Sequence, residues 1–249
     1  MNKINRLLKR YAFLLLLPLT GCTLFDMELQ KKYDYNPQTL DPNIHISARK
    51  FLEDRSYESP TNLNDTVFKW MRKGLEYAEI DLAAYEKQGM TFMFLHNDAI
   101  RVWDAKTNKV TGGMWFDFPI ITLVPGTESI ATSRPATKWS DYPKADVKNY
   151  FLYLMLQGTY NFNNLRLTPV DAQTMLPPGT LATKSSLLGL LNGAKGFDQE
   201  GKMSLSILNN DDLAPLVINK LTKNRSGGYV TTNAIVHVYG ATVFPYRPE

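Results

Sequence analysis

The chain has 249 residues, with 28 Lys+Arg against 24 Asp+Glu and a formal charge of +4. Lys3, Arg6, Lys9 and Arg10 lie in the first 21 residues, which contain no acid, so the remaining 228 residues carry 24 charges of each sign. That balance removes the basic pI as a reason to expect nucleic acid as a partner, and 44% hydrophobic with 12% aromatic residues excludes wholesale disorder and supports one large domain.

The N-terminus reads as a secretory signal. A basic stretch precedes Tyr11-Ala-Phe-Leu-Leu-Leu-Leu-Pro18, an apolar run too short to span a bilayer. Leu19-Thr20-Gly21-Cys22 then resembles the lipobox of bacterial lipoproteins, in which the thiol takes a diacylglycerol and cleavage falls just before it. Cys22 is the only cysteine, so no disulfide, zinc cluster or Cys-x-x-Cys site competes for it. The expected organisation is a signal peptide over 1–21, a lipidated tether over 22–45 and a folded domain over 46–249. No later run approaches the roughly 18 apolar residues of a membrane-crossing helix, which leaves the lipid as the membrane anchor. Asp26 and Glu28 place some acidity beside it, interrupted by Met27. In some gram-negative bacteria acids at this place direct export to the outer face, so an outer-membrane, cell-surface location is expected.

Along the domain, Asn64 or Asp65 is expected to cap a helix carrying Val67, Phe68, Trp70, Met71 and Leu75. Ile80, Leu82 and Tyr85 continue a second helical stretch that Gly89 ends. Thr91–Leu95 reads as a buried strand, followed by a polar turn at His96-Asn97-Asp98. Arg101–Phe118 suggests a hairpin with Gly112-Gly113 as a kink, and Ile120–Val124 a further strand. Pro125–Pro143 has the composition of a loop, and Val147–Leu156 that of a helix ended by Gly158. Leu165–Val170, Met203–Leu208 and Gly228–Val238 look strand-like. Helices mixed with many short strands predict a single α+β domain with a sheet-based core.

Several of these pieces, in this order, resemble a fasciclin (FAS1) domain. Tyr229-Val-Thr-Thr-Asn-Ala-Ile-Val-His-Val-Tyr-Gly-Ala-Thr-Val-Phe-Pro245 is similar to the family's closing motif, with Asn233-Ala234 where the family usually has Asn-Gly. Thr91–Ala99 resembles its first motif, and Phe151-Leu-Tyr-Leu-Met-Leu-Gln-Gly158 its helix end, with Leu154 at the family's usual histidine position. The Trp70 helix and Glu86–Met90 match the opening helical pair. The resemblance covers most of residues 60–249, with insertions around 101–143 and 180–202. It implies a FAS1-like β-sandwich or wedge core with packed helices, and roles in adhesion or ligand binding without catalysis. Lipoproteins of this kind resemble accessory components of nutrient-uptake systems, which makes a TonB-dependent transporter an implied partner.

The three histidines, His45, His96 and His237, show no ligand-like spacing. His237 is expected to be structural, bonded to backbone, and His96 to bond the loop that follows it. No nucleophile elbow, phosphate-binding loop, dinucleotide fingerprint or zincin motif is present, so no catalytic residue, metal or cofactor is assigned. Asp141, Asp198, Asp211 and Asp212 are the carboxylates from which a glycosidase-type pair would have to be drawn, the alternative reading being a carboxylate-based glycan hydrolase. A purely structural envelope protein, with Trp139 and Tyr142 packed inward, is the other. The leading expectation is ligand binding through aromatics between 101 and 143. Trp103, Trp139 and Tyr142 are the candidates for a glycan or peptide surface. The last two are expected to be exposed because Lys138, Ser140, Asp141 and Pro143 surround them, while Trp115 and Phe118 are expected in a hairpin core. If Cys22 carries the anchor, the Cys22→Ser protein will move from the detergent phase to the aqueous phase on Triton X-114 partitioning and lose incorporated radiolabelled fatty acid.

Overall fold

The computed structural model describes residues 41–58, 65–127, 129–180, 201–209 and 214–245. Two helices open the domain, α1 (Ala48–Asp54) and α2 (Lys69–Tyr77), followed by a 3-10 turn at Leu82–Glu86. Ser47 caps α1, its hydroxyl accepting from the Lys50 N–H at 3.2 Å. The cap of α2 is tertiary. Asn97 Oδ1 accepts from the Trp70 N–H at 3.1 Å, while Asp65 pairs with Arg55 at 2.6 Å; Asn64, the other expected cap, lies outside the described residues.

Strand β1 (Met90–Leu95) follows, then α3 (Asn97–Ile100), the ribbon β2 (Val102–Asp104) and β3 (Lys109–Gly112), and α4 (Met114–Asp117). The expected polar turn at 96–98 is therefore the start of a helix, with His96 as its cap. A second ribbon pairs β4 (Ile120–Leu123) with β5 (Ile130–Arg134). A strand thus lies inside the segment read as a loop, because Ile-Ala-Thr-Ser-Arg is fully exposed and owes its extended form to pairing, not to burial. Helix α5 (Lys144–Tyr153) leads into β6 (Met155–Gln157) and β7 (Val170–Gln173). The C-terminal part contributes β8 (Lys202–Ile207), β9 (Leu216–Ile218), β10 (Thr222–Lys223), β11 (Ser226–Val230) and β12 (Ala234–Tyr239).

The arrangement is α+β. One four-stranded sheet has the order β11-β12-β1-β6 and the other the order β10-β9-β8-β7. They meet where Leu156 bridges Thr174 and the Met175 N–H donates to the Met155 carbonyl at 2.8 Å. The central pair, β1 and β12, runs parallel with Met90 opposite Ala234 and Leu95 opposite Tyr239, and every residue of both strands is buried. Burial on both faces explains why each reads as an almost unbroken apolar run rather than an alternation. Residues 41–46, at the domain end of the expected tether, run beside β11. There the Ile44 N–H donates to the Val230 carbonyl at 3.0 Å and the Val230 N–H to that of Pro42 at 2.9 Å.

Asn233, in the turn before β12, ties three elements together. Its Oδ1 accepts from the Ala48 N–H of α1 at 2.9 Å, and its Nδ2 donates to the carbonyls of Tyr85 at 2.8 Å and Lys87 at 3.0 Å. Neither Asn233 nor Ala234 has a positive φ, so this turn has no need of the glycine expected by comparison. Replacing Asn233 with Ala leaves one buried N–H and two carbonyls without partners. At about 1 kcal/mol or more each, the expected loss is ~2–4 kcal/mol, read as a lower urea midpoint at unchanged slope.

Candidate functional site

Four elements bring a cluster of indoles and cations to one surface. Helix α2 supplies Trp70 and Lys73, which share a flank because they are three residues apart. Arg101 leaves the end of α3, Trp103 sits on β2, and Trp115 on α4. Two contacts fix their approach. The Asn97 side chain joins α3 to the first turn of α2, donating to the Thr66 carbonyl at 2.7 Å as well as accepting from Trp70. Gly113, at φ 77°, lets the chain entering α4 press on α3, since a Cβ there would stand 2.6 Å from the Asp98 carbonyl oxygen.

The Arg101 guanidinium consequently lies 4.5 Å from the ring centre of Trp70, 4.9 Å from that of Trp103 and 5.9 Å from that of Trp115. The Lys73 ammonium is 4.8 Å from Trp70. Trp103 is 42% exposed, Trp70 and Arg101 are half-buried, and Trp115 is fully buried. Below the surface the aromatics continue as a column, Trp70 to Trp115 at 5.1 Å, Trp115 to Trp139 at 5.7 Å and Trp139 to Phe151 at 5.4 Å. Among the described residues neither Arg101 nor Lys73 forms an ion pair or a side-chain hydrogen bond. Burial alone lowers the Arg101 pKa from its usual value, and no carboxylate opposes that shift. Cation–π contact, worth about 0.5–2 kcal/mol, holds the guanidinium in place while its N–H edge has no acceptor among the described residues.

A small groove of about 160 Å³ lies elsewhere, lined by Arg55, Phe68, His96, Arg225, Ser226 and Tyr229 among others. Its cations already have acceptors. Arg55 pairs with Asp65 at 2.6 Å and Arg225 with Asp98 at 3.1 Å. An incoming anion there would have to displace a carboxylate, whereas at Arg101 and Lys73 it would displace none. The indole surface is therefore the better candidate.

Of the three aromatics singled out in the sequence, Trp103 belongs to this surface and the other two do not reach it. Trp139 is 5% exposed and Tyr142 4%, a correction to the expectation that both face solvent. Trp139 opens the 3-10 turn Trp139–Asp141 and Tyr142 follows it, three residues on, which puts both on its inner side and leaves Lys138 and Ser140 outside. The Trp139 Nε1–H donates to the Trp70 carbonyl at 2.9 Å, and the Tyr142 hydroxyl to that of Phe118 at 2.7 Å. Gly74 makes room for this packing, because a Cβ there would come within 2.7 Å of the Trp139 ring and 2.6 Å of Phe151. Trp139 thus supports the site from beneath. Trp115 and Phe118 are buried as expected, but on and just after a helix, not in a hairpin. The sequence reading passed over Lys73 and Arg101. The available signal was Trp70 and Lys73 at i, i+3 on the flank of a helix whose inner face is Met71, Gly74 and Leu75.

Asp141 shows no sign of pairing for hydrolysis. Its carboxylate accepts from the Thr137 N–H at 2.8 Å and pairs with Arg134 at 3.4 Å. Partial burial opposes its ionisation, but the Thr137 bonds and Arg134 together hold its pKa below the ordinary carboxylate value. Asp198, Asp211 and Asp212 lie outside the described residues.

His96 and His237 do structural work, while His45 is exposed. His96 caps α3, its Nδ1 accepting from the Asp98 N–H at 3.2 Å, and burial and then Arg225 lower its pKa. His237 is fully buried. Its Nδ1 accepts from the Gly228 N–H at 3.1 Å and its Nε2 lies 2.8 Å from the Tyr160 carbonyl, which assigns the neutral ring with the proton on Nε2. Comparison with protein-family models gave no match to this chain, and comparison with curated proteins gave none.

Burial pushes the His237 pKa down from 6.5 to about 4. Between those values the unfolded chain binds the proton and the folded one does not, so stability should fall as pH drops through this window and recover above it. His96 acts in the same sense. In urea titrations at pH 7 and pH 4, His237→Gln should remove part of the acid-induced loss, at most about 3 kcal/mol.

Proposed function

We propose that the protein is a lipid-anchored cell-envelope binding protein, held in the outer membrane through Cys22 and facing outward. Its FAS1-like domain presents a ligand-binding indole surface centred on Trp103. The observation that carries the binding reading is Arg101, a half-buried cation against three tryptophans with no carboxylate partner among the described residues. A cation left in this state, beside an indole that is 42% exposed, serves recognition better than stability. The fasciclin likeness is supported by the closing turn. There Asn233 precedes a buried Val-His-Val strand set parallel to the first strand of the domain.

The anchor rests on the sequence of residues 1–22. Among the described residues no helix is long and apolar enough to cross a membrane. A role as an accessory component of nutrient uptake, alongside a TonB-dependent transporter, follows from the family resemblance.

A purely structural envelope role is favoured by one observation, the inward packing of Trp139 and Tyr142. It gives no reason for Trp103 to remain exposed, or for Arg101 to have no carboxylate partner among the described residues.

Retention of the full-length lipoprotein, purified in detergent, on a panel of polysaccharides and peptides tests the proposal, together with capture of partners from detergent-solubilised membranes. Trp103→Ala should weaken binding to the retained ligand by about tenfold or more, in line with stacking and cation–π energies of roughly 1–2 kcal/mol. Leu221→Ala, at an exposed apolar site in another part of the fold, should leave it unchanged. Retention on nothing in the panel, with no captured partner, overturns the binding reading and returns the protein to a structural role.

A further inference from the structure

We infer that the ligand of this surface carries a carboxylate borne directly on a saturated ring, as in a polysaccharide containing uronic acid; the inference rests on the binding reading above. Two cations, Arg101 and Lys73, lean on the single indole of Trp70 at 4.5 and 4.8 Å, and neither has an anionic partner among the described residues. Like charges collected on one ring repel each other, and the indole faces offset only part of that. An anion placed between solvent and these two groups relieves the repulsion and gains charge-assisted hydrogen bonds. The planar guanidinium fork favours a carboxylate, which it can bind through two parallel N–H bonds.

The aromatic component narrows the class. Trp103 is 42% exposed, and on α4 Phe116 is 48% exposed, so this part of the domain offers flat apolar faces more than deep holes. Such faces suit the C–H faces of a sugar ring. The Arg101 guanidinium lies over the exposed indole, 4.9 Å from its ring centre, and covers part of one face. A carboxylate attached directly to a sugar ring can bind the guanidinium edge while the ring itself packs on the part of Trp103 that the guanidinium leaves open. An aspartate or glutamate side chain carries the same charge on a flexible arm with no rigid ring beside it to stack, which makes an acidic peptide the poorer fit. A neutral glycan satisfies the indole and leaves both cations unanswered.

The inference is tested by affinity electrophoresis and calorimetry of the full-length protein in detergent. The probes are polygalacturonate, the same polymer after chemical reduction of its carboxyl groups, and poly-glutamate. The native polymer should bind at least about tenfold more tightly than the reduced one, one charge-assisted contact corresponding to roughly that factor. The preference should shrink as salt is raised. Arg101→Met should abolish it. Because that change also removes contacts with three indoles, Arg101→Lys and Lys73→Met serve as milder variants whose melting temperatures should stay close to wild type. Arg101→Lys retains the charge but loses the fork, and should lose most of the preference. Lys73→Met should lose part of it.

Equal affinity for native and reduced polymer, both dependent on Trp103, overturns the carboxylate inference and leaves the binding reading standing. Poly-glutamate binding as tightly as polygalacturonate with the same Arg101 dependence overturns the ring-borne class in favour of acidic peptides. Failure to bind any probe, in a protein that also binds nothing in the broader panel, overturns both.

Discussion

The parallel pairing of β1 with β12 is the constraint on which the rest of the domain depends. These strands stand more than a hundred residues apart in sequence, and a parallel pair cannot be closed by a tight turn. Something must hold the two ends in register while the intervening chain folds around them. Asn233 does this at the start of β12. By accepting from α1 and donating to one carbonyl within the 3-10 turn and one just after it, it fastens the last strand to the segment leading into the first. At the other end of the pair, the His96 N–H donates to the Tyr239 carbonyl at 2.9 Å, where α3 begins. Register in the central sheet therefore determines where α3 starts, and with it the position of Arg101.

From that point the surface site follows by packing. Helix α3 is too short to be stable by itself, and it is held by Asn97, which at the same time caps α2. One side chain thus sets the relative position of the element carrying Trp70 and Lys73 and the element delivering Arg101. The indole column from Trp70 to Phe151 gives the exposed end a rigid floor. Several other cations do have carboxylate partners: Arg55 with Asp65, Arg225 with Asp98, Lys144 with Glu79. Among the described residues Lys106, Lys109 and Lys223 also lack an ion pair, but they are exposed, whereas Arg101 is half-buried against three indoles, a local departure. Departures from local consistency tend to fall at functional sites.

Much of the fold was legible where the signal was apolar and continuous. The strand read over Thr91–Leu95 is β1, while the helix read over Val147–Leu156 ends at Tyr153 because Met155–Gln157 pairs with β1, and the single strand read over Gly228–Val238 is two, β11 and β12, joined by a turn. Legibility failed where partners rather than composition set the structure. Ile130–Arg134 is a strand only because β4 lies beside it. Asp65, a plausible cap by local rules, is taken by Arg55 while Asn97 caps α2 from across the chain. Trp139 and Tyr142 misled for the same reason. Lys138 and Ser140 do face water, but residues three apart share one side of a 3-10 turn, so Trp139 and Tyr142 turn inward together, and the Asp141 side chain is itself only 8% exposed. Of the site itself, Trp103 could be read from the sequence. Lys73 and Arg101 could not be read as site residues, since a lysine on a helix flank and an arginine before a strand are ordinary until the absence of a counter-ion is known.

By itself the sequence determined the charge balance beyond residue 21, the single cysteine on which the proposed anchor rests, and the two apolar runs that become the central strands. Those properties are additive or local, so they survive without coordinates. Only the tertiary structure decided which tryptophans face solvent, which cations find carboxylates, and that His237 sits neutral between Gly228 and Tyr160. Burial and charge pairing depend on groups brought together from distant parts of the chain. Their energies arise from those neighbours, and no stretch of sequence carries them alone.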